Sequence, residues 1–169
     1  MDHCSECGYD YGALTTRDAS STLVDLARRM DRRLRSAAGA VVATRSEPSV
    51  WSALEYACHL RDVLLVQRER ILLAVVKDNP TFPPMCRDER VVLAGYGEQS
   101  REAVGRELVM AAELIARVID KLDTTQMARP CVYNFPEAKE RDVSWLVRHT
   151  THEAVHHTMD VEVLLELAG

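Results

Sequence analysis

Four of the six histidines in this chain fall within one short stretch near the C-terminus, His149-Thr150-Thr151-His152-Glu153-Ala154-Val155-His156-His157. An α-helix turns about 100° per residue, so His149, His152 and His156 would lie within roughly 60° of one another on a single face. Asp160 extends that line by a turn, and Trp145, Val163 and Leu167 continue the same stripe above and below. A lone surface histidine is usually just solvated. A cluster this dense points to a cation, because neutral imidazoles at i and i+4 can both direct a ring nitrogen at one ion. Two ligands from one helix seldom suffice, so a third has to come from another element.

The elements that could supply it are helical. Asp18 to Ala38 places Leu23, Leu26, Ala27, Met30 and Leu34 at three- and four-residue intervals, which predicts an amphipathic helix. Gly39 and the Thr44–Ser49 stretch carry stop and turn signals. Ser52, three residues before Glu55, has the spacing of a capping box and opens a second helix that continues to about Val76. Asp78 to Cys86 holds Pro80, Pro83 and Pro84 and must be extended. Arg87 to Ala94 suggests a short helix ended by Gly95 and Gly97. Ser100 can cap a third long helix from Arg101 to about Leu122. Thr124 to Arg141 reads as a loop with a short hairpin around Cys131-Val132-Tyr133, and Asp142 or Ser144 would cap the last helix. Four long helices with an extended crossover between the second and third predict an all-α four-helix bundle, a scaffold that builds metal sites from facing helices.

His59, on the second helix, is the candidate third ligand. It shares a wheel sector with Glu55, Tyr56, Asp62, Val63 and Val66, whereas Cys58 faces elsewhere. The expected ligand set is therefore His59, His152 and His156, with Asp62, His149, Glu153 and Asp160 as accessory groups. Asp62, one turn on, could orient a ligating ring by accepting its other N–H, while Glu55 is occupied as a cap. At the other end of the chain, Cys4-Ser5-Glu6-Cys7-Gly8 has the form of half a zinc ribbon. Without a second C-x-x-C, Cys4 and Cys7 are open to a second metal, a redox couple or plain packing.

The composition bounds the rest. At 169 residues and 47% hydrophobic, the chain suits a single domain, 1–169, with residues 1–17 as a cysteine-containing extension. A net charge of -5, spread through mixed segments, argues against nucleic-acid binding. No apolar run approaches membrane-spanning length and the N-terminus lacks an apolar leader, so a cytoplasmic protein that does not bind membranes is expected. Five scattered cysteines do not resemble a secreted disulfide framework and are expected to be reduced.

Trp51-Ser52-Ala53-Leu54-Glu55-Tyr56-Ala57-Cys58-His59-Leu60-Arg61-Asp62 and His152-Glu153-Ala154-Val155-His156-His157 resemble the two histidine motifs of the DinB-like family, which is grouped with mycothiol-dependent maleylpyruvate isomerases and related thiol S-transferases. Cys4 to Tyr11 also resembles the opening of an actinobacterial branch of that group. The resemblance implies an up-down-down-up bundle and a divalent metal, zinc or nickel, carried over onto His59, His152 and His156. It further implies a small-molecule thiol, such as mycothiol, and an electrophile as partners. A homodimer is compatible with the sequence.

Three functions compete. A three-ligand cation leaves open positions at which a thiol could bind as thiolate and attack an electrophile, as in an S-transferase or isomerase. A non-catalytic metal-binding or redox-sensing protein is the alternative. A metallopeptidase is the third, because residues 152–156 spell H-E-x-x-H, although only thirteen residues follow His156 to supply a further ligand.

Overall fold

The computed structural model describes residues 3–13 and 15–167. Helix α1 (Thr16–Ser36) buries Leu23, Ala27, Met30 and Leu34 completely, the face the sequence periodicity marks out. A short α2 (Gly39–Ala43) follows and buries Val42, so Gly39 opens another helical turn where a stop was expected. In α3 (Ala53–Val76) the capping box is complete. Ser52 Oγ accepts the Glu55 N–H at 3.2 Å and the Glu55 carboxylate accepts the Ser52 N–H at 2.8 Å. Two Arg45 N–H groups also donate to Glu55 at 2.8 Å each, so this buried carboxylate is fully engaged away from any metal. Next come β1 (Thr81–Phe82), α4 (Arg87–Leu93), a 3-10 turn (Tyr96–Glu98), α5 (Arg101–Ile119) and α6 (Thr124–Met127). The chain ends with β2 (Pro130–Asn134), β3 (Ala138–Asp142) and α7 (Val143–Leu167). Of the two expected caps for α7, Asp142 serves, its Oδ1 accepting the Trp145 N–H at 2.6 Å.

Helices α1, α3, α5 and α7 form a four-helix bundle, and side-chain contacts fix its sense. Arg101, at the start of α5, donates to the Leu34 carbonyl near the end of α1, so these helices are antiparallel. Arg29 and Arg33 of α1 pair with Glu162 and Glu166 of α7 in the same order, so those two are parallel. Arg61 near the start of α3 pairs with Glu107 near the start of α5, which makes that pair parallel. The result is up-down-down-up, with the crossover between α3 and α5 that the prolines require.

Gly105 sets how closely α5 approaches α1. A Cβ there would overlap Asp31 Oδ1 and lie 2.9 Å from Asp31 Cγ, so that side chain would have to shift, with Asp31 Cβ in a tight contact at 3.3 Å. Gly105→Ala should therefore destabilise the protein by about 1–3 kcal/mol through overpacking, read as a fall in thermal midpoint. An unchanged midpoint would show that Asp31 simply swings aside.

The expected all-α class is extended by a three-stranded sheet ordered β1-β2-β3, with β1 parallel and β3 antiparallel to β2. The extended, proline-rich crossover has unpaired backbone groups, and β2 supplies partners for them, as in the 2.9 Å bond from the Val132 N–H to the Pro80 carbonyl. Cys131 and Tyr133 point inward from β2, and the Tyr133 ring packs edge-on against Trp145 of α7 at 5.1 Å. The sheet thus joins the crossover to the helix that carries the histidines. Among the described residues no helix is long and apolar enough to cross a membrane.

Candidate metal centre

Which α7 side chains meet α3 depends on the rotation of α7 about its axis, and its buried residues set that rotation. Leu146, Val147, Thr150, Thr151, Ala154 and Val161 are all buried. His157 lies on the edge of this face and is buried too, whereas Val163 and Leu167, on the stripe expected to be core, are 47% and 80% exposed. The face turned to α3 therefore carries Glu153 and His157, one residue on from the expected pair and thus about 100° around the helix.

The histidines accordingly divide into two sets. His59, Glu153 and His157 each place a donor atom within 4.8 Å of the others. The His59 and His157 rings meet edge-to-face at 5.0 Å, and the Trp51 ring also packs edge-on against His59, at 5.1 Å. His152 and His156, expected to join His59, instead converge with Cys4 and Cys7, again within 4.8 Å. The trio His59, His152 and His156 is not among the groups that come together.

The electrostatics of His59 and Glu153 suit a divalent cation, and His157 would give up a proton on binding one. Burial pushes His59 down to about 4, so it is neutral at pH 7 and able to donate a lone pair, and its Nδ1 is buried with no hydrogen-bond partner among the described residues. Burial alone would raise the pKa of Glu153, but the hydrogen bond from His157 and the nearby His149 and His152 outweigh it and keep the carboxylate ionised. Burial likewise works against the His157 cation. Its bonds to Asp160 and Glu153 win, however, and lift it to about 9. His157 Nδ1 donates to Asp160 Oδ2 at 2.9 Å, which turns Nε2 toward Glu153, 3.5 Å from Oε2. A carboxylate behind a histidine, fixing ring and tautomer, is the usual support of a metal-ligating imidazole. The set of two imidazoles and a carboxylate, with a buried orphan nitrogen and such a support, fits a divalent metal.

The accessory residues sort in the same way. Asp160 orients His157, and Glu153 is itself a member of the group. His149 lies against the Trp145 ring at 4.6 Å, and its Nε2 is 3.8 Å from Glu153 Oε1. Asp62 does not orient His59: it accepts from Arg61 at 2.9 Å and from the Tyr96 hydroxyl at 2.7 Å, with Arg90 at 3.5 Å. Its carboxylate is thus taken up in tying α3 to α4 and the 3-10 turn. Cys58 is buried against the Tyr96 carbonyl and Gln99, and burial pushes its thiol up to about 12, which makes it unreactive.

His59, His149 and Glu153 line a pocket of about 340 Å³, with Val63 and Gln67 from α3, Tyr133 and Phe135 from the hairpin, and residues 84–89 of the crossover. That is the size of a small-molecule site. Two pocket residues stand outside the expected ligand and accessory set. Cys86, exposed and in left-handed backbone geometry (φ 51°), stands on the wall. Tyr133 receives N–H donors from Arg70 at 3.3 Å and Gln67 at 3.5 Å. Sequence spacing offered no signal for either residue, because both sit on irregular or short elements.

Residues 3–13 fold back over α7. The Tyr9 hydroxyl donates to the Arg148 carbonyl at 3.0 Å, and the Tyr11 hydroxyl lies 2.9 Å from His149 Nδ1 and 3.0 Å from His152 Nδ1. Backbone polarity around Cys7 and Glu6 draws the Cys4 thiol below its usual value, whereas burial pushes the neighbouring Cys7 thiol up.

The chain is thus a parallel-antiparallel four-helix bundle in which a His/Glu group beside a pocket could hold a metal ion. A sequence model of the DinB superfamily matches residues 22–160, most of the chain, and this protein belongs to that superfamily. Among solved structures it is similar to YfiT from Bacillus subtilis, described as "a probable metal-dependent hydrolase with an unusual four-helix bundle topology". The TM-score is 0.81 at 14% identity, over 91% of this chain and 87% of that one. At that identity the likeness concerns the fold. No curated protein matches the chain.

Proposed function

We propose that the protein is a metal-dependent enzyme in which His59, Glu153 and His157 hold a divalent cation, zinc or nickel, and that it transfers a low-molecular-weight thiol to a small electrophile or isomerises such a substrate through the thiol. The observation that carries this reading is the convergence of three donors from two facing helices beside the 340 Å³ pocket. A cation bound there favours the thiolate form of a coordinated thiol and polarises the electrophile. Glu153 supplies the negative charge that balances the ion. Asp160 holds the His157 ring in place, and Trp51 walls off His59. His149 is held neutral, burial pushing it down to about 4, so it forms a polar but uncharged side of the pocket. Val63, Met85 and Phe135 add apolar surface for the substrate's carbon skeleton.

A second reading, hydrolysis with water as the nucleophile, is supported by the fold likeness to YfiT and by the two-histidine, one-glutamate donor set, which is common in hydrolytic zinc sites. The metallopeptidase reading of H-E-x-x-H finds no support, since its two histidines face Cys4 and Cys7 while its glutamate faces His59. The test is to load untagged protein with zinc or nickel and offer a panel of cellular thiols, mycothiol included, with maleylpyruvate-like and haloalkyl electrophiles. Thiol consumption that requires metal and disappears in His59→Ala is expected. Ester or amide cleavage without thiol consumption would instead establish the hydrolytic reading. No turnover of either kind would leave a metal-binding or sensing protein.

A further inference from the structure

The N-terminal cysteines and the outer histidine pair of α7 take no part in the pocket. We infer that Cys4, Cys7, His152 and His156 form a second metal site, a closed tetrahedral zinc-type centre that fastens the N-terminal segment to the bundle. It goes beyond the proposed function and does not depend on it.

Several independent features of the four residues lead there. One donor from each lies within 4.8 Å of the others, and Cys4 Sγ is 3.8 Å from His156 Nδ1. Zinc–sulfur and zinc–nitrogen bond lengths imply donor separations of roughly 3.3–3.8 Å in a tetrahedron, so little movement is needed. The loop has the form of a metal knuckle. The Gly8 N–H donates to the Cys4 carbonyl at 2.9 Å, the Cys4 N–H to the Tyr9 carbonyl at 2.8 Å, and Gly8 takes a left-handed conformation (φ 73°) that favours glycine.

The histidines are prepared from behind. His152 Nδ1 is engaged by the Tyr11 hydroxyl, and its Nε2 is buried with no hydrogen-bond partner among the described residues. That orphan nitrogen carries a desolvation cost which a coordinated cation would offset. His156 Nε2 lies 3.4 Å from Glu6 and 3.8 Å from Asp160, so carboxylates face the side of the ring away from Cys4. Binding of a dication releases the two thiol protons to solvent. Four protein donors leave no open coordination position, which makes the site structural. Its position is consequential all the same, because the segment it fastens carries Tyr11, whose hydroxyl bridges His152 of this site and His149 of the pocket.

The experiment is a cobalt(II) titration of the reduced, untagged full chain, followed by elemental analysis. Wild type should take up two ions per chain, one of them accompanied by thiolate-to-cobalt charge-transfer absorption. Cys4→Ser/Cys7→Ser should lose that band and one ion, whereas His59→Ala should lose one ion and keep the band. The two arms separate the sites, so failure of the pocket assignment leaves the band in place. If the cysteine variant does not fold, His152→Asn/His156→Asn, which keeps both sulfurs, should lose or shift the band. A missing band in reduced wild type, a band unchanged in the histidine variant, or a Cys4–Cys7 disulfide that survives reductant would overturn the inference.

Discussion

Glu153→Gln is expected to strip the pocket of its metal and abolish metal-dependent turnover. The carboxylate is the negatively charged member of the His59-Glu153-His157 group, and the amide that replaces it has nearly the same volume. Loss of a merely orienting partner typically costs about 10–100-fold in metal affinity, so removal of a charged ligand should cost at least about 100-fold. The measurement is metal content after dialysis against a buffered metal of known free concentration, with thermal unfolding as a control for fold. Full occupancy at the wild-type free-metal level would dismiss the His59-Glu153-His157 assignment. The cobalt–thiolate band should be unaffected, because Glu153 does not belong to the cysteine group.

The second large effect concerns a buried arginine. Arg70, on α3, lies beneath the Phe82 and Tyr133 rings, with its guanidinium carbon 5.8 Å and 5.1 Å from their centroids. It donates to the Tyr133 hydroxyl, to Gln67 Oε1 and to the Pro83 carbonyl, and among the described residues no carboxylate pairs with it. Burial lowers its pKa, the mark of a cation held by packing and neutral acceptors. Arg70→Ala leaves those acceptors unpaired and a hole beneath two aromatic rings. The expected loss is about 2 kcal/mol or more, net of the desolvation relieved by removing the charge. For a chain of this size that corresponds to a fall of roughly 5 °C in Tm. Because Pro83 leads into the crossover wall of the pocket, KM should rise more than kcat falls. Arg70→Met, which restores the volume alone, separates the two contributions: recovery of Tm without recovery of KM would assign the hydrogen bonds to positioning the crossover. Unchanged stability in Arg70→Ala would show that the desolvation cost of the cation cancels its contacts.

The bundle was legible in the sequence because its signals are local and repeated. The Leu23-to-Leu34 periodicity, the Ser52/Glu55 cap and the prolines of the crossover each act over a few residues and agree with one another. The small sheet was less visible, since β1 is two residues long and acquires strand geometry only by pairing with β2. At the candidate metal centre the two helices and His59 are legible in the sequence, but the rotation of α7 is not. The histidine stripe led the eye to residues 152 and 156, while the buried positions 146, 150, 154 and 161 point toward 153 and 157. The apolar positions, weighted over the histidines, mark 153 and 157 as the neighbours of His59. No local rule brings Cys4 and Cys7 to His152 and His156 across about 150 residues of chain; that contact follows from where the first helix begins.

The two pairs on α7, 152 with 156 and 153 with 157, are interleaved with an offset of a single position. A helix gripped on two sides about 100° apart can neither roll nor slide without slackening both grips. Spacing in this part of the chain is therefore constrained more tightly than residue identity. Deleting one residue between Asp142 and His149 would bring Glu153 to the place of His152, Ala154 to that of Glu153 and Thr158 to that of His157, and would disarm both proposed centres while leaving every motif in the string intact.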